Sequence, residues 1–161
     1  EARAVVDACR FRPMGRRSVS YHWPHLGYST AHDAQAVSAA FNRATTVAVM
    51  LESPEAVERA DEIAAVPGVD ILHVGSVDLA DALGVPGRMD DPRLAACHDR
   101  VIAACLRHGK VAGMGGIGGK PALAARVLRQ GARFMTAGID WDLMLLAARQ
   151  RVQSLRQLEE T

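Results

Sequence analysis

Two apolar runs, each followed by an acidic residue, constrain this chain more than any other feature. Glu52 closes TTVAVMLE (residues 45–52), and Asp78 follows VDILHVGS (residues 69–76). The segment between them, SPEAVERADEIAAV, has the length of one helix and is stopped by Pro67-Gly68. Strand, helix and strand in that order predict two neighbouring parallel strands with both carboxyl ends on one side. Adjacent strands lie about 4.8 Å apart, so carboxylates at the two ends can share one hard divalent cation.

The same rhythm runs along the whole chain. EARAVVDACR reads as a helix stopped by Arg12-Pro13 and Gly15, and Arg16–Ser20 as a short strand. YHWPHLGYST is a loop, Thr30–Asn42 a helix, and Thr46–Leu51 a strand, continuous and β-rich as buried parallel strands are. Ser53 and Pro54 supply the N-cap and N1 of the next helix. Val69–Val74 is a strand and Val77–Leu83 a short helix ended by Gly84. Asp91 caps a helix over Pro92–His108 that Gly109 ends. Val111–Met114 is a strand, Lys120–Gln130 a helix, Phe134–Ala137 a strand, and a last helix runs from Trp141 to about Leu158. Five strands alternating with helices mean an α/β fold with a parallel sheet. A full eightfold barrel takes about 250 residues, so 161 residues match its last five units, strands four to eight, as one partial barrel domain over residues 1–161. A doubly wound domain is the rival. The chain opens on Glu1, inside a helix, which reads as a fragment, a processed product or a trimmed chain.

Net charge is +1, from 19 basic and 18 acidic residues, which gives no electrostatic case for nucleic acid or a membrane surface. The apolar stretches fall well below the roughly 18 residues of a membrane span, and no signal peptide is visible. Cys9, Cys97 and Cys105 show no CxxC spacing, so they read as reduced packing thiols in a cytoplasmic protein.

Several of these residues together carry a resemblance. Glu52, Ala56-Val57, Ile63, Val66, Gly68-Val69-Asp70 and Gly75-Ser76-Val77-Asp78-Leu79 are similar in order and spacing to the HpcH/HpaI aldolase family, also called the citrate lyase β-like family. Pro13-Met14-Gly15-Arg16-Arg17, Asn42, GKVAGMGG and GARFMTAGID resemble its flanking segments. The resemblance implies a (β/α)8 barrel and a class II aldolase that cleaves a 4-hydroxy-2-oxo acid to pyruvate and an aldehyde through a metal-stabilised enolate. It implies Glu52 and Asp78 as metal ligands and Gly75, Ser76 and Val77 as the turn that binds the pyruvate carboxylate. Mg²⁺ or Mn²⁺ is the expected metal, with Co²⁺ as the alternative, and a homo-oligomer is the expected assembly. The family's base-supplying His and keto-oxygen-binding Arg come from early strands, which places them upstream of Glu1. Two departures stand out: Met50 replaces the common Gln, and Ser18 and Ser20 replace glycines. A non-catalytic remnant of such a barrel is the second reading. A relative acting on phosphoenolpyruvate or acyl-CoA thioesters is the third.

The remaining polar residues read more plainly. His22 and His25 flank Trp23-Pro24 and suit a structural loop or a subunit contact, with a metal or substrate role as the alternative. His73 reads as a hydrogen-bonded core residue, and His98 and His108 as surface. Gly113, Gly115, Gly116, Gly118 and Gly119 lack the pattern of a phosphate loop and read as a tight turn that lets substrate approach the backbone. Arg16 and Arg17 suit a charge pair with helix acids, with anion binding as the alternative. The apolar stripe of the last helix, Leu143, Leu145, Leu146, Val152, Leu155 and Leu158, fits either the barrel or a neighbouring subunit.

Overall fold

A computed structural model describes residues 1–20, 23–29 and 33–158. Its elements are α1 (Ala2–Cys9), a 3₁₀ turn (Pro24–Leu26), α2 (Ala34–Ala44), β1 (Ala48–Leu51), α3 (Pro54–Glu58), α4 (Ala60–Ala64), β2 (Ile71–Gly75), α5 (Ser76–Ala82), α6 (Pro92–Arg107), β3 (Val111–Gly115), α7 (Pro121–Gln130), β4 (Phe134–Met135) and α8 (Asp140–Gln157).

Local chemistry sets these boundaries. The Ser53 hydroxyl accepts the Ala56 amide at 3.2 Å and starts α3, and Asp91 does the same for α6 through the Arg93 amide. Both side chains satisfy a donor that the helix itself leaves open. The expected single helix after Ser53 is instead two short ones, because the backbone at Arg59 leaves helical geometry (φ −95°, ψ 16°).

The four strands pair in the order β1-β2-β3-β4, all parallel. Met50, His73, Gly113 and Phe134 lie in one row across the sheet. Side chains of successive residues point to opposite faces. One face carries Val49, Leu51, Leu72, Val74, Ala112 and Met114, all buried against the helical layer of Val57, Leu79, Val101, Ile102 and Val127. The other carries Met50, 58% exposed, and Phe134, 43% exposed. A doubly wound sheet reverses its strand order and has helices on both faces. A sequential order with helices on one face is a segment of a (β/α) barrel.

Two expectations need correcting. Arg16–Ser20 forms no strand: the Arg16 amide bonds Asp7 O and the Arg17 amide bonds Arg10 O, so the segment folds back on α1. The first of the five expected strands is therefore missing, and four are present among the described residues. The β1 run is also not buried throughout, since its burial alternates strictly and its inner-facing residues are open.

The amino ends of the strands are fastened by side chains. Asp70 accepts Arg10 Nη2 at 2.6 Å and the Val47 amide at 2.8 Å. Asn42 exchanges two hydrogen bonds with the backbone of Phe11. In α8 no residue is buried, so its apolar stripe does not pack on the core of its own chain.

Candidate metal and substrate site

The carboxyl ends of β1 and β2 place the two predicted acids. Glu52 immediately follows β1. The β1–β2 register pairs Leu51 with Val74, which brings the next residue, Glu52, beside Gly75 at the end of β2. A side chain at Gly75 would collide with Glu52: its Cβ would lie 2.6 Å from Oε1 and 2.7 Å from Cγ. The Glu52 carboxylate therefore lies across the Gly75 backbone, at the entrance to α5. Asp78 sits in the first turn of α5, where the partial positive charge of the helix start favours a carboxylate. Both acids are exposed.

The α5 turn divides its residues by periodicity. Ser76, Leu79 and Ala80 are buried toward the helical layer, while Val77 and Asp78 are exposed. The Ser76 hydroxyl lies 3.0 Å from His98 Nε2, so this side chain points away from the open face.

His73 lies on the inner face, in the row below Glu52. It is 8% exposed, with Nε2 3.2 Å from the Thr136 hydroxyl and its ring edge-on to Phe134 at 5.4 Å. The expectation of a hydrogen-bonded core His holds. Its Nδ1 has no hydrogen-bond partner. Burial lowers its pKa from the ordinary imidazole value, and the charge of Glu52 opposes the shift.

The glycines in and after β3 differ in what stands beside them. A Cβ at Gly113 would lie 2.6 Å from His73 Nδ1, and one at Gly115 would lie 2.7 Å from Nε2. These two glycines make room for the His73 ring. Gly116 turns the chain at φ +74° against Val77, and Gly118 packs on the backbone of Ala137. Only at Gly119 is the space open.

The surface expectation for His98 is overturned. His98 is fully buried on α6, and it follows Leu94 and precedes Val101, Ile102 and Cys105 in the buried stripe of that helix. Spacing of i, i+4, i+7 and i+8 carried the signal, which the polarity of histidine hid. Burial, reinforced by the charge of Arg126 and opposed by Asp99, lowers its pKa to about 4. His108 is at the surface as expected, 3.3 Å from Asp61. His25 packs edge-on to Phe41 at 5.9 Å, and His22 lies outside the described residues. Arg16 pairs with Asp7, whereas Arg17 stacks over the rings of Phe11 and Trp23 at 5.0 and 5.1 Å. All three cysteines are free, and burial raises the pKa of Cys97 and takes that of Cys105 up to about 11.

Among the described residues no group of three or more His, Cys, Asp or Glu is arranged to hold a metal. Two carboxylates and no nitrogen or sulfur donor suit a hard cation that keeps several positions for water or substrate oxygens.

Comparison with known proteins covers nearly the whole chain. The pattern of the HpcH/HpaI aldolase/citrate lyase family matches residues 1–147. The 4-hydroxy-4-methyl-2-oxoglutarate aldolase tasA of Hapsidospora irregularis is 40% identical over 151 residues, which cover 92% of this chain and 55% of that protein. A 2-keto-3-deoxy-L-rhamnonate aldolase of Salmonella typhimurium is 31% identical over 99% of this chain and 58% of its own length. Among solved structures, an HpcH/HpaI aldolase/citrate lyase family protein from Burkholderia cenocepacia J2315 superposes with a TM-score of 0.82 at 32% identity, over 96% of this chain and 60% of that one. The chain thus spans little more than half the length of the relatives it matches.

Proposed function

Because this chain belongs to the HpcH/HpaI aldolase/citrate lyase family, we propose that it forms the carboxyl-terminal part of a (β/α)8 barrel in a divalent-metal-dependent aldolase. The reaction is cleavage of a 4-hydroxy-2-oxo acid to pyruvate and an aldehyde, or the reverse condensation. The observation that carries the reading is the Glu52 carboxylate lying across Gly75, at the entrance to the turn that bears Asp78. Residues 1–161 act in this reading as one partial domain.

Glu52 and Asp78 would hold the cation, Mg²⁺ or Mn²⁺ by their all-oxygen chemistry. Bound there, a divalent cation supplies the positive charge that stabilises negative charge developing on a 2-oxo acid. Gly75, Ser76 and Val77 would receive the substrate carboxylate through their backbone, since the Ser76 hydroxyl is turned toward α6. The lack of a side chain at Gly75 is what lets Glu52 reach across β2. No residue of this chain is assigned as the proton-transfer base or as the arginine on the keto oxygen. A reduced, cytoplasmic setting belongs to the same reading, on the odd number of cysteines and their lack of CxxC spacing. No helix among the described residues is long and apolar enough to cross a membrane.

Calorimetric titration of Mn²⁺, with and without oxalate as an enolate mimic, tests the reading. The expected result is binding that oxalate tightens and that Asp78→Ala and Glu52→Gln each abolish. Absence of binding in a folded sample would overturn it in favour of a non-catalytic remnant.

A further inference from the structure

Behind the α5 turn, on the side away from the open face, runs a chain of polar groups, buried at Ser76 and His98 and reaching the surface at Asp99 and Gln130, that cation binding does not itself require. Ser76 opens α5 and is fully buried, and its Oγ lies 3.0 Å from Nε2 of the equally buried His98. Across the ring, Arg126 Nη2 from α7 lies 3.4 Å from His98 Nδ1. Arg126 Nη1 donates to Asp99 Oδ1 at 3.2 Å, and Gln130 Nε2 donates to the same oxygen at 2.8 Å.

The chemistry of these groups fixes the direction of each bond. A guanidinium only donates, so His98 Nδ1 must present its lone pair to Arg126. The single ring proton is then on Nε2, and Nε2–H donates to the Ser76 hydroxyl. A hydroxyl that would otherwise rotate is thereby held as an acceptor. The location matters because α5 has only seven residues and no side-chain cap, its N-cap being Gly75. A helix that short has little stability of its own, so its orientation depends on what fastens it from outside. Ser76 is that fastening point, two residues before Asp78.

We propose that His98 is a positioning residue: through the tautomer that Arg126 imposes, it pins Ser76 and so fixes the turn that carries Asp78. The inference rests on the assignment of Asp78 as a ligand, but the pinning itself can be read without any metal.

The test uses the full chain with the variants His98→Leu, His98→Gln, Ser76→Ala and His98→Leu/Ser76→Ala. Val127→Ala, a buried apolar change beside Arg126 on α7 that leaves every member of the polar chain in place, is the control. Two quantities are read: Mn²⁺ affinity by calorimetry, and hydrogen exchange of the α5 amides of residues 79–82. His98→Leu is expected to weaken Mn²⁺ binding about tenfold, as loss of a group that supports a ligand does, and to speed α5 exchange with β2 unchanged. His98→Gln, whose amide can still donate to Ser76, restores most of both. Ser76→Ala shows the same losses as His98→Leu, and the double variant is no worse than either, as expected for one coupled unit. Val127→Ala lowers the unfolding midpoint and leaves both readouts unchanged.

If His98→Leu behaves like Val127→Ala, with a lower midpoint and neither readout changed, the proposal falls and the metal site stands. If wild type binds no Mn²⁺ yet α5 exchange still quickens in His98→Leu, the metal assignment falls and the pinning stands. Should His98→Leu fail to fold, Ser76→Ala and His98→Gln decide the matter alone.

Discussion

The two faces of the sheet differ in what completes them. The helix-side face of β2, Leu72 and Val74, is fully buried beneath α5 and α6, and the polar groups at its carboxyl end, Ser76 and His98, satisfy one another. The inner face of the same strand carries His73 with one unpaired nitrogen, flanked by the open Met50 and the half-open Phe134. Stability is concentrated on the first face and unfinished polar chemistry on the second. A strand between two such environments must satisfy packing on one side only, which leaves the other side free to hold reacting groups.

The largest effect that can break this contrast is a matched pair of truncations in neighbouring strands. Leu72→Ala removes a fully buried side chain and is expected to lower stability by about 2–5 kcal/mol. Met50→Ala, on the open face, is expected to change it by less than about 0.5 kcal/mol. Urea unfolding of the two variants measures the difference. Comparable losses would mean that the inner face is packed in solution.

Next in size is a pH window belonging to the helix side. The folded pKa of His98 is about 4, depressed by burial below its ordinary 6.5. A depressed histidine binds fewer protons folded than unfolded, so stability is lost as pH falls from about 6.5 to about 4 and is fully present above that range. The loss is expected to be on the order of 3 kcal/mol for a shift of this size. Arg126, Asp99 and Ser76 are the groups facing the ring. His98→Leu is expected to flatten most of the window. His73, whose pKa is also lowered by burial, contributes to the remainder, and the further flattening in the double variant His98→Leu/His73→Phe measures its part. An unchanged slope in His98→Leu would show that the ring is not buried neutral.

What the sequence made legible follows the same division. Ser53 and Asp91 were readable as caps because capping is local chemistry between residues two or three apart. Glu52 and Asp78 were placed at the strand ends because the helix between them fixes the polarity of the unit. The burial of His98 was present in the spacing of the α6 stripe but hidden by the residue's polarity. The open inner face was not readable at all, since the β1 run has the composition of a strand covered on both sides. Nor was the purpose of Gly113 and Gly115, because the ring they admit comes from another strand, some forty residues away in sequence. The Arg16–Ser20 segment read as a strand by local composition, yet its backbone bonds go to α1. Strand pairing is decided by partners, and local sequence does not name them.

A smaller perturbation probes the inner face where it is tightest. Gly115→Ala would bring a Cβ to 2.7 Å from His73 Nε2. The imidazole is hemmed in by Phe134 and Thr136, so overpacking of about 1–3 kcal/mol is expected. Removing the ring in a Gly115→Ala/His73→Ala double variant should cancel most of that interaction, which a double-mutant cycle in urea reads directly. Simple additivity would show that the two residues do not meet.

Gly75→Ala sharpens the comparison further, because it separates stability from function at one atom. The backbone there has φ −81°, which alanine adopts freely, so no conformational strain arises. The three atoms nearest to the new methyl all belong to the side chain of Glu52, which is flexible and exposed and can swing aside. Stability should therefore change by less than about 0.5 kcal/mol. The Glu52 carboxylate, however, can no longer lie across the end of β2, and Mn²⁺ affinity is expected to fall by about tenfold or more. Unfolding and calorimetric titration on the same sample give the two numbers. A variant that keeps its Mn²⁺ affinity would show that the conformation of Glu52 across Gly75 is not needed for binding.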